Sequence, residues 1–296
     1  MAAIMTDISE HEAYSQLQEI LHLPPLPALA ARLLQEITQP ETDIDSLSSL
    51  IEQDPGLAAR IVGIANSAYF ARIREVSNVH DAIVRVLGLN IVRGLAIGIA
   101  LSKPFTLDAC PTFDLERYWY RAFMGATLAV QLGKHTSLTQ EQQDCCFLAG
   151  LLNNIGLLVL VNAFPGRMHE LFSLLQAHPD QSLRSLQRQT LAVDEIGAGK
   201  LICRNWHLPH CVCDVIRYTE LKESSGVSRP MVEWILYCCQ LAETLYDNPE
   251  TEPPAVENAG PAAAGLSQER LTTLLAEVLK LDEQVRALAS GLMQGE

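Results

Sequence analysis

Apolar residues recur every three or four positions along most of this chain, and no stretch alternates with the period of two that marks a half-buried strand. After Pro24, Pro25 and Pro27, the positions Leu26, Leu29, Ala30, Leu33, Leu34 and Ile37 outline a first helix. Thr38-Gln39-Pro40 closes it, because proline cannot continue the hydrogen-bond ladder. Asp43 or Asp45 caps a second helix bearing Leu47, Leu50 and Ile51. Asp54-Pro55 starts a third, a carboxylate cap followed by proline at the first helical position, with Leu57, Ile61, Ile64 and Ala65 on its apolar face. Ser77 or Asn78 opens a fourth helix through Ala82, Ile83, Val86 and Leu87, closed by Gly88. A fifth runs through Ile91, Leu95, Ile99 and Leu101 to Lys103-Pro104.

A more apolar segment begins near Leu115. The run from Cys145 to Val161 is hydrophobic nearly all round and predicts one buried central helix. Further helices are expected at about 166–177, 181–190, 193–206, 208–221 and 228–246. Residues 247–265, rich in Pro and Ala, hold little that can be buried and read as a linker. Residues 266–296 then predict a single, separate amphipathic helix, on which Leu271, Leu274, Val278, Leu281, Val285, Leu288 and Leu292 follow an a/d stripe. About three heptads is marginal for an independent coiled coil. Docking onto its own domain and pairing in a homodimer both stay open. The pattern as a whole predicts an all-α protein.

Composition and charge narrow the function. The chain is 48 % hydrophobic with a formal net charge of −14, which argues against bulk, sequence-independent binding to DNA, since that depends on neutralising phosphates. The charge is uneven: Arg32 is the only Lys or Arg among the first 55 residues, whereas Arg60, Arg72, Arg74, Arg85 and Arg93 cluster soon after. These five form a candidate basic face for an acidic partner or an anionic ligand, weighed against an ordinary solvated helical surface. The apolar runs are expected to fall short of a membrane span, the longest lying around Leu157 to Val161, and the N-terminus lacks the basic and apolar parts of a signal peptide. A cytoplasmic protein without membrane contact is therefore expected. Its eight cysteines would then be thiols, with Cys145/Cys146 and Cys238/Cys239 as small core residues. Cys203, His207, His210, Cys211 and Cys213 make one cluster of metal-ligand types, with Cys203 and His207 at i, i+4 on one expected helix face. No Cys-x-x-Cys pair and no second ligand pair accompany them, so no metal or other cofactor is expected. Nor is there a glycine-rich phosphate loop: Gly94, Gly98, Gly197 and Gly199 lie in helical pattern and read as close-packing positions.

The landmarks Leu23-Pro24-Pro25-Leu26-Pro27, Gln53-Asp54-Pro55-Gly56-Leu57 and Ala65-Asn66-Ser67-Ala68-Tyr69-Phe70 are followed by Ser77, Ala82-Ile83 and Leu87-Gly88. In this order and spacing, over roughly residues 20 to 220, they resemble the HDOD family, the HD-related output domains. The resemblance implies a multi-helix fold with a helical lobe at 20–104 and a lobe related to the HD hydrolases at 105–246, after a helical lead-in at 1–19. It also implies bacterial signal transduction. Asn66, Ser67, Tyr69 and Phe70 carry the most specific part of the match. Asn66 and Ser67 are suited to bonding stranded backbone groups at the end of the third helix, with Tyr69 and Phe70 filling the gap beside it. The other reading is a ligand or partner site next to Arg72 and Arg74.

HD hydrolases hold one or two divalent metals with histidines and a carboxylate, in a context like Leu-Leu-His-Asp-Ile-Gly. The resemblance sets Leu151-Leu152-Asn153-Asn154-Ile155-Gly156 there, so both ligands become asparagine. Arg121, two residues after Trp119, takes the place of an upstream histidine, and the later histidine positions fall at Val193 and around Tyr218 and Thr219. Neutral carboxamides and a permanent cation are poor ligands for a divalent metal. His80-Asp81 spells the family dipeptide, but at a helix start in the other lobe, where it reads as polar N-terminal residues. The chain is thus expected not to be an enzyme but a scaffold or adaptor for protein partners. Two alternatives stay open. Arg121, Asn153 and Asn154 could bind an anionic, nucleotide-like molecule rather than form a polar network, or unorthodox ligands could sustain a residual metal-dependent phosphohydrolase.

Overall fold

The computed structural model describes residues 25–37, 43–66, 75–102, 105, 107, 109–218, 229–260, 263 and 266–291. Among them the regular structure is helical, without a strand. The chain divides into two compact units that are not consecutive in sequence: one takes residues 26–103, 114–153 and 208–296, the other 1–25, 104–113 and 154–207. This differs from consecutive lobes at 20–104 and 105–246.

The larger unit opens with α1 (Ala28–Ile37), α2 (Ile44–Glu52), α3 (Pro55–Ala65), the short α4 (Val79–Ala82) with its π-helical continuation Ile83–Leu87, and α5 (Leu89–Ser102). Local chemistry sets their ends. Asp43 accepts from the Ser46 amide at 2.6 Å, Asp54 from Leu57 at 2.9 Å and Asn78 from Asp81 at 2.7 Å. Gly88, at φ +82°, turns the chain out of the π-helical segment. Leu33, Leu47, Ile51, Leu57, Ile61 and Leu95 fill the space between these helices. Next come α6 (Leu115–Gly133) and α7 (Gln140–Leu152), the latter begun by a reciprocal capping box between Thr139 and Gln142. They approach closely at Gly150, where an added Cβ would lie 2.9 Å from Ala126 Cα.

The smaller unit holds α8 (Ile155–Ala163), α9 (Pro165–Ala177), α10 (Leu183–Leu191) and α11 (Glu195–Asn205). Gly156 lets α8 meet α11, since a Cβ there would fall 1.8 Å from the Glu195 carbonyl oxygen. Gln187, fully buried on α10, accepts from the Glu195 amide at 3.1 Å, and Asp194 caps α11 through the Gly197 amide while taking Arg188 Nε at 2.6 Å.

The chain completes the larger unit with α12 (His210–Tyr218), α13 (Arg229–Asp247), a 3-10 turn at Val256–Ala259, α14 (Gln268–Leu279) and α15 (Asp282–Gly291). Trp234 Nε1 donates to the Ala129 carbonyl at 3.0 Å and pins α13 to α6.

Four expectations about these elements need correction. The central helix is not continuous: α7 ends at Leu152 and α8 begins at Ile155, because Asn153 bonds its amide to the Gly150 carbonyl and Asn154 leaves helical geometry. The stretch Gln140–Ala163 does reach the length and apolarity of a bilayer span, contrary to the reading of short runs, although 72 % of its most apolar window is buried in the protein. Residues 247–265 are not a bare linker. Val256 and Ala259 are buried against α13, Tyr237 donates to the Pro254 carbonyl at 2.7 Å, and Gln268 accepts from the Val256 amide at 2.8 Å.

The expected single C-terminal helix is two, broken at Lys280-Leu281, and both halves pack on α6 of the same chain. Leu271, Leu275, Val278, Val285 and Leu288 are buried there; Leu292 lies outside the described residues. Arg286 fastens the second half. Its guanidinium lies 4.6 Å from the Tyr120 ring centre and 5.3 Å from that of Tyr246, bonds Asp282 at 2.8 Å, and reaches the Leu245 and Tyr246 carbonyls. Tyr120 donates to the other Asp282 oxygen at 2.5 Å, and Ser290 to Glu116 at 2.7 Å.

Candidate functional site

The residues that the resemblance sets at the HD metal position lie on α6 and at the end of α7, and side chains of α13 face those on α6. Arg117 and Arg121 lie one turn apart on α6, opposite Glu243 and Asp247, one turn apart on α13. Arg117 donates to Glu243 Oε1 at 2.8 and 2.6 Å and to both Asp247 oxygens at 2.9 and 2.8 Å. Burial works against its charge, but the bonds and charges of these two carboxylates outweigh that and hold its pKa above the ordinary arginine value. Arg121 is held less firmly. Its Nε stands 3.4 Å from Glu243 Oε2, an ion pair without a hydrogen bond, with the two side chains 33 % and 36 % exposed. Burial pushes the Cys239 thiol up to about 11, and Arg121 draws it down; the same two influences act on Tyr118, whose pKa is raised.

At the end of α7, Asn153 Nδ2 donates to the Gly150 carbonyl at 2.5 Å, and the Cys239 thiol reaches the same oxygen at 3.8 Å. Asn154, in the other unit, precedes α8 without a side-chain capping bond. A divalent metal needs several oxygen or nitrogen lone pairs turned toward one point. Here one amide nitrogen is turned onto a backbone carbonyl, a guanidinium brings positive charge, and Glu243 is engaged by both arginines. Among the described residues, no three His, Cys, Asp or Glu side chains are grouped to share an ion. These residues do not fit the metal of an HD hydrolase.

Other candidates are dispersed. Asn66 ends α3 and clamps the backbone of Val76, donating to its carbonyl at 2.7 Å and accepting from its amide at 2.9 Å. Ser67, Tyr69, Phe70, Arg72 and Arg74 lie outside the described residues. Arg85 is exposed and pairs with Asp81 at 3.2 Å, Arg93 is partly buried with Glu36 supporting its charge, and Arg60 is half-buried on α3. His80 Nε2 stands 3.4 Å from Asp45, so the His80-Asp81 dipeptide splits between two partners. Cys203 and His207 do not share a helix face: α11 stops at Asn205 and His207 is left-handed at φ +51°. Cys213 donates to the Leu208 carbonyl, and His210 is exposed. Of the later histidine positions, Val193 is buried, Tyr218 donates to Glu233, and Thr219 is outside the described residues.

Sequence reasoning missed Glu243 as the partner of Arg121, and with it the Arg117–Asp247 pair. A signal existed: two arginines spaced i, i+4 on one helix and two carboxylates spaced i, i+4 on another. Asp282 and Arg286 are likewise spaced i, i+4, but nothing in the sequence marks their contact with Tyr120.

Comparison with known proteins bears on this geometry. The HDOD domain family matches residues 23–221. A Marinobacter aquaeolei protein named for signal transduction has a crystal structure that matches at TM-score 0.76 and 25 % identity, over 99 % of this chain and 68 % of that one. An HDOD domain protein of unknown function from Geobacter sulfurreducens matches at TM-score 0.68 and 19 % identity, over 96 % and 99 % of the two chains, which speaks for the fold alone. An uncharacterized protein of Treponema pallidum (strain Nichols) is 26 % identical over 222 residues, 73 % of this chain; the match covers 41 % of that relative's length.

Proposed function

The chain belongs to the HDOD domain family, and from that premise we propose that it is a non-catalytic signal-transduction component, a scaffold or adaptor whose helical surfaces hold protein partners in the cytoplasm. One observation carries the reading: the position where an HD hydrolase would gather metal ligands holds the Arg121–Glu243 ion pair and an Asn153 amide bonded to the Gly150 carbonyl. A cation paired to a carboxylate neither holds a metal nor activates water. An anionic ligand is the weaker alternative, because it would have to displace Glu243 from Arg121 and compete with Asp247 close by. Leu271, Val278, Val285 and Leu288 of the C-terminal stripe are covered within the chain, which turns the search for partners toward other surfaces.

The test assays the full chain with a chromogenic phosphodiester and manganese, and follows its melting with purine nucleotides added. We expect no turnover above buffer and no nucleotide-dependent stabilisation. Chelator-sensitive turnover would overturn the reading in favour of a hydrolase. A nucleotide-dependent rise in Tm that disappears in Arg121→Glu would overturn it in favour of a sensor.

A further inference from the structure

Within the larger unit, side chains of α5, α6, α7 and α15 enclose a cleft of about 70 Å3. Its floor is hydrocarbon: Phe123, Val285 and Leu288 are buried there, with Ile91, Val130 and Phe147 along the sides. These last three are only partly covered, so the cleft opens to solvent between them. Thr127 and Gln284, half-exposed, and Gln131, exposed, bring neutral polar groups to the mouth. Gln131 turns its oxygen to the Lys134 ammonium at 3.0 Å, so its amide donors are the end that can meet a guest. None of the described residues lining the cleft is charged, although the chain as a whole carries a formal net charge of −14.

A glycine builds one wall. A Cβ added at Gly94 of α5 would lie 2.6 and 2.7 Å from two carbons of the Phe147 ring and 3.3 Å from Phe123. Without a side chain there, both rings can close on the α5 backbone, and Phe147 takes its place beside the cleft. The lining decides what can fill such a space. Water needs about two to four polar partners, which the hydrocarbon floor does not supply. An ion would give up its hydration for no partner of opposite charge. An apolar guest exchanges water for two aromatic rings and four aliphatic side chains. A sealed cavity of roughly 150 Å3 is enough for benzene. A cleft of about half that volume with an open side takes a ring whose substituted edge stays at the mouth.

We propose that this cleft is a binding site for a small, neutral, single-ring molecule with one hydrogen-bonding group, a phenol or its like. The ring sits on Phe123, Val285 and Leu288, and its oxygen faces Thr127, Gln131 and Gln284. The guest touches α5, α6, α7 and α15 at once, so its arrival tightens the C-terminal helix on the rest of the unit. This gives the chain a chemical input of its own. It goes beyond the scaffold reading and does not depend on it, since Arg121, Asn153 and Asn154 are not among the lining residues.

The experiment titrates the full-length protein with para-fluorophenol, which stays uncharged at neutral pH, and with para-fluorobenzoate, the same ring bearing a carboxylate. Fluorine NMR follows both, and nuclear Overhauser contacts locate the bound phenol against the methyl groups of the protein. We expect saturable binding of the phenol, contacts to the methyls of Ile91, Val130, Val285 and Leu288, and a rise in Tm. The benzoate should bind about tenfold more weakly or worse, because a carboxylate buried without a partner is costly. Val130→Phe fills the cleft from its partly exposed side and should weaken the phenol by about tenfold or more, with folding checked by circular dichroism. The contacts are read on the natural sequence, so they decide the matter even where Val130→Phe fails to fold. A phenol signal that does not saturate, or contacts to methyls elsewhere in the chain, would overturn the proposal. So would equal binding of the benzoate, or unchanged affinity in a folded Val130→Phe.

Discussion

Arg121 and Arg286 belong to the same unit, and each sets a guanidinium beside a carboxylate, yet they are held in different ways. Arg121 has one ion pair at 3.4 Å and an Nε without a hydrogen-bond partner. Arg286 has a carboxylate, two backbone carbonyls and two aromatic faces. The family resemblance sets the first where a histidine would serve a metal, and the second joins the end of the chain to α6 and α13. Under the proposed non-catalytic reading, a loosely held cation at that position is what remains once chemistry no longer dictates the geometry there. A cation held by a carboxylate, two carbonyls and two rings marks a contact that the fold requires. The comparison assigns stability to the C-terminal helices and leaves little of it at the former metal position.

The difference can be broken by mutation. Leu288→Ala removes a fully covered side chain from the seam between α15 and α6, and should cost about 2–5 kcal/mol in urea denaturation. Arg286→Met keeps the stacking bulk but gives up the hydrogen bonds to Asp282 and the two carbonyls. A loss of about 1–2 kcal/mol is expected after allowing for partial solvent exposure. Arg121→Gln should change stability by less than about 1 kcal/mol, as expected of a partly exposed ion pair. Equal losses at Arg286 and Arg121 would remove the distinction.

Alkali sharpens it. Tyr120 at the C-terminal seam and Cys239 beside Arg121 both have raised folded-state pKa values, Tyr120 well above its usual value and Cys239 at about 11, with burial as the leading cause. The stabilisation they contribute is complete below their unfolded-state values and is lost as pH rises through the folded ones. The urea midpoint should therefore fall above about pH 9. Because each arginine favours the ionised form of its neighbour, Arg121→Gln should move the thiolate absorbance of Cys239, read as the difference from Cys239→Ser, to higher pH and leave the ultraviolet titration of Tyr120 unchanged, whereas Arg286→Met should do the reverse.

Local chemistry was readable in advance, and long-range pairing was not. Asp54-Pro55 and Asn78 announce helix starts because a cap needs only the next three residues. The break after Leu152 escaped notice because the run on either side is apolar all round, and what interrupts it is an asparagine choosing the Gly150 carbonyl over the helix ladder. Val256 and Ala259 have no periodicity, so nothing in the sequence separates a strap laid on α13 from a free linker. At the candidate site, the resemblance located Arg121 and Asn153. Glu243, whose charge decides what that position can do, is brought there by tertiary packing from a distant helix.

Metal content of the full chain, purified without chelator or metal-affinity resin and then incubated with excess manganese and desalted, is the most direct measurement of whether the former metal position still holds a metal. Plasma mass spectrometry should find far less than one transition metal per chain, with Arg121→Gln no different. A near-equimolar metal that survives desalting would mean that ligands elsewhere in the chain have taken over the role, and that the proposed non-catalytic function is wrong.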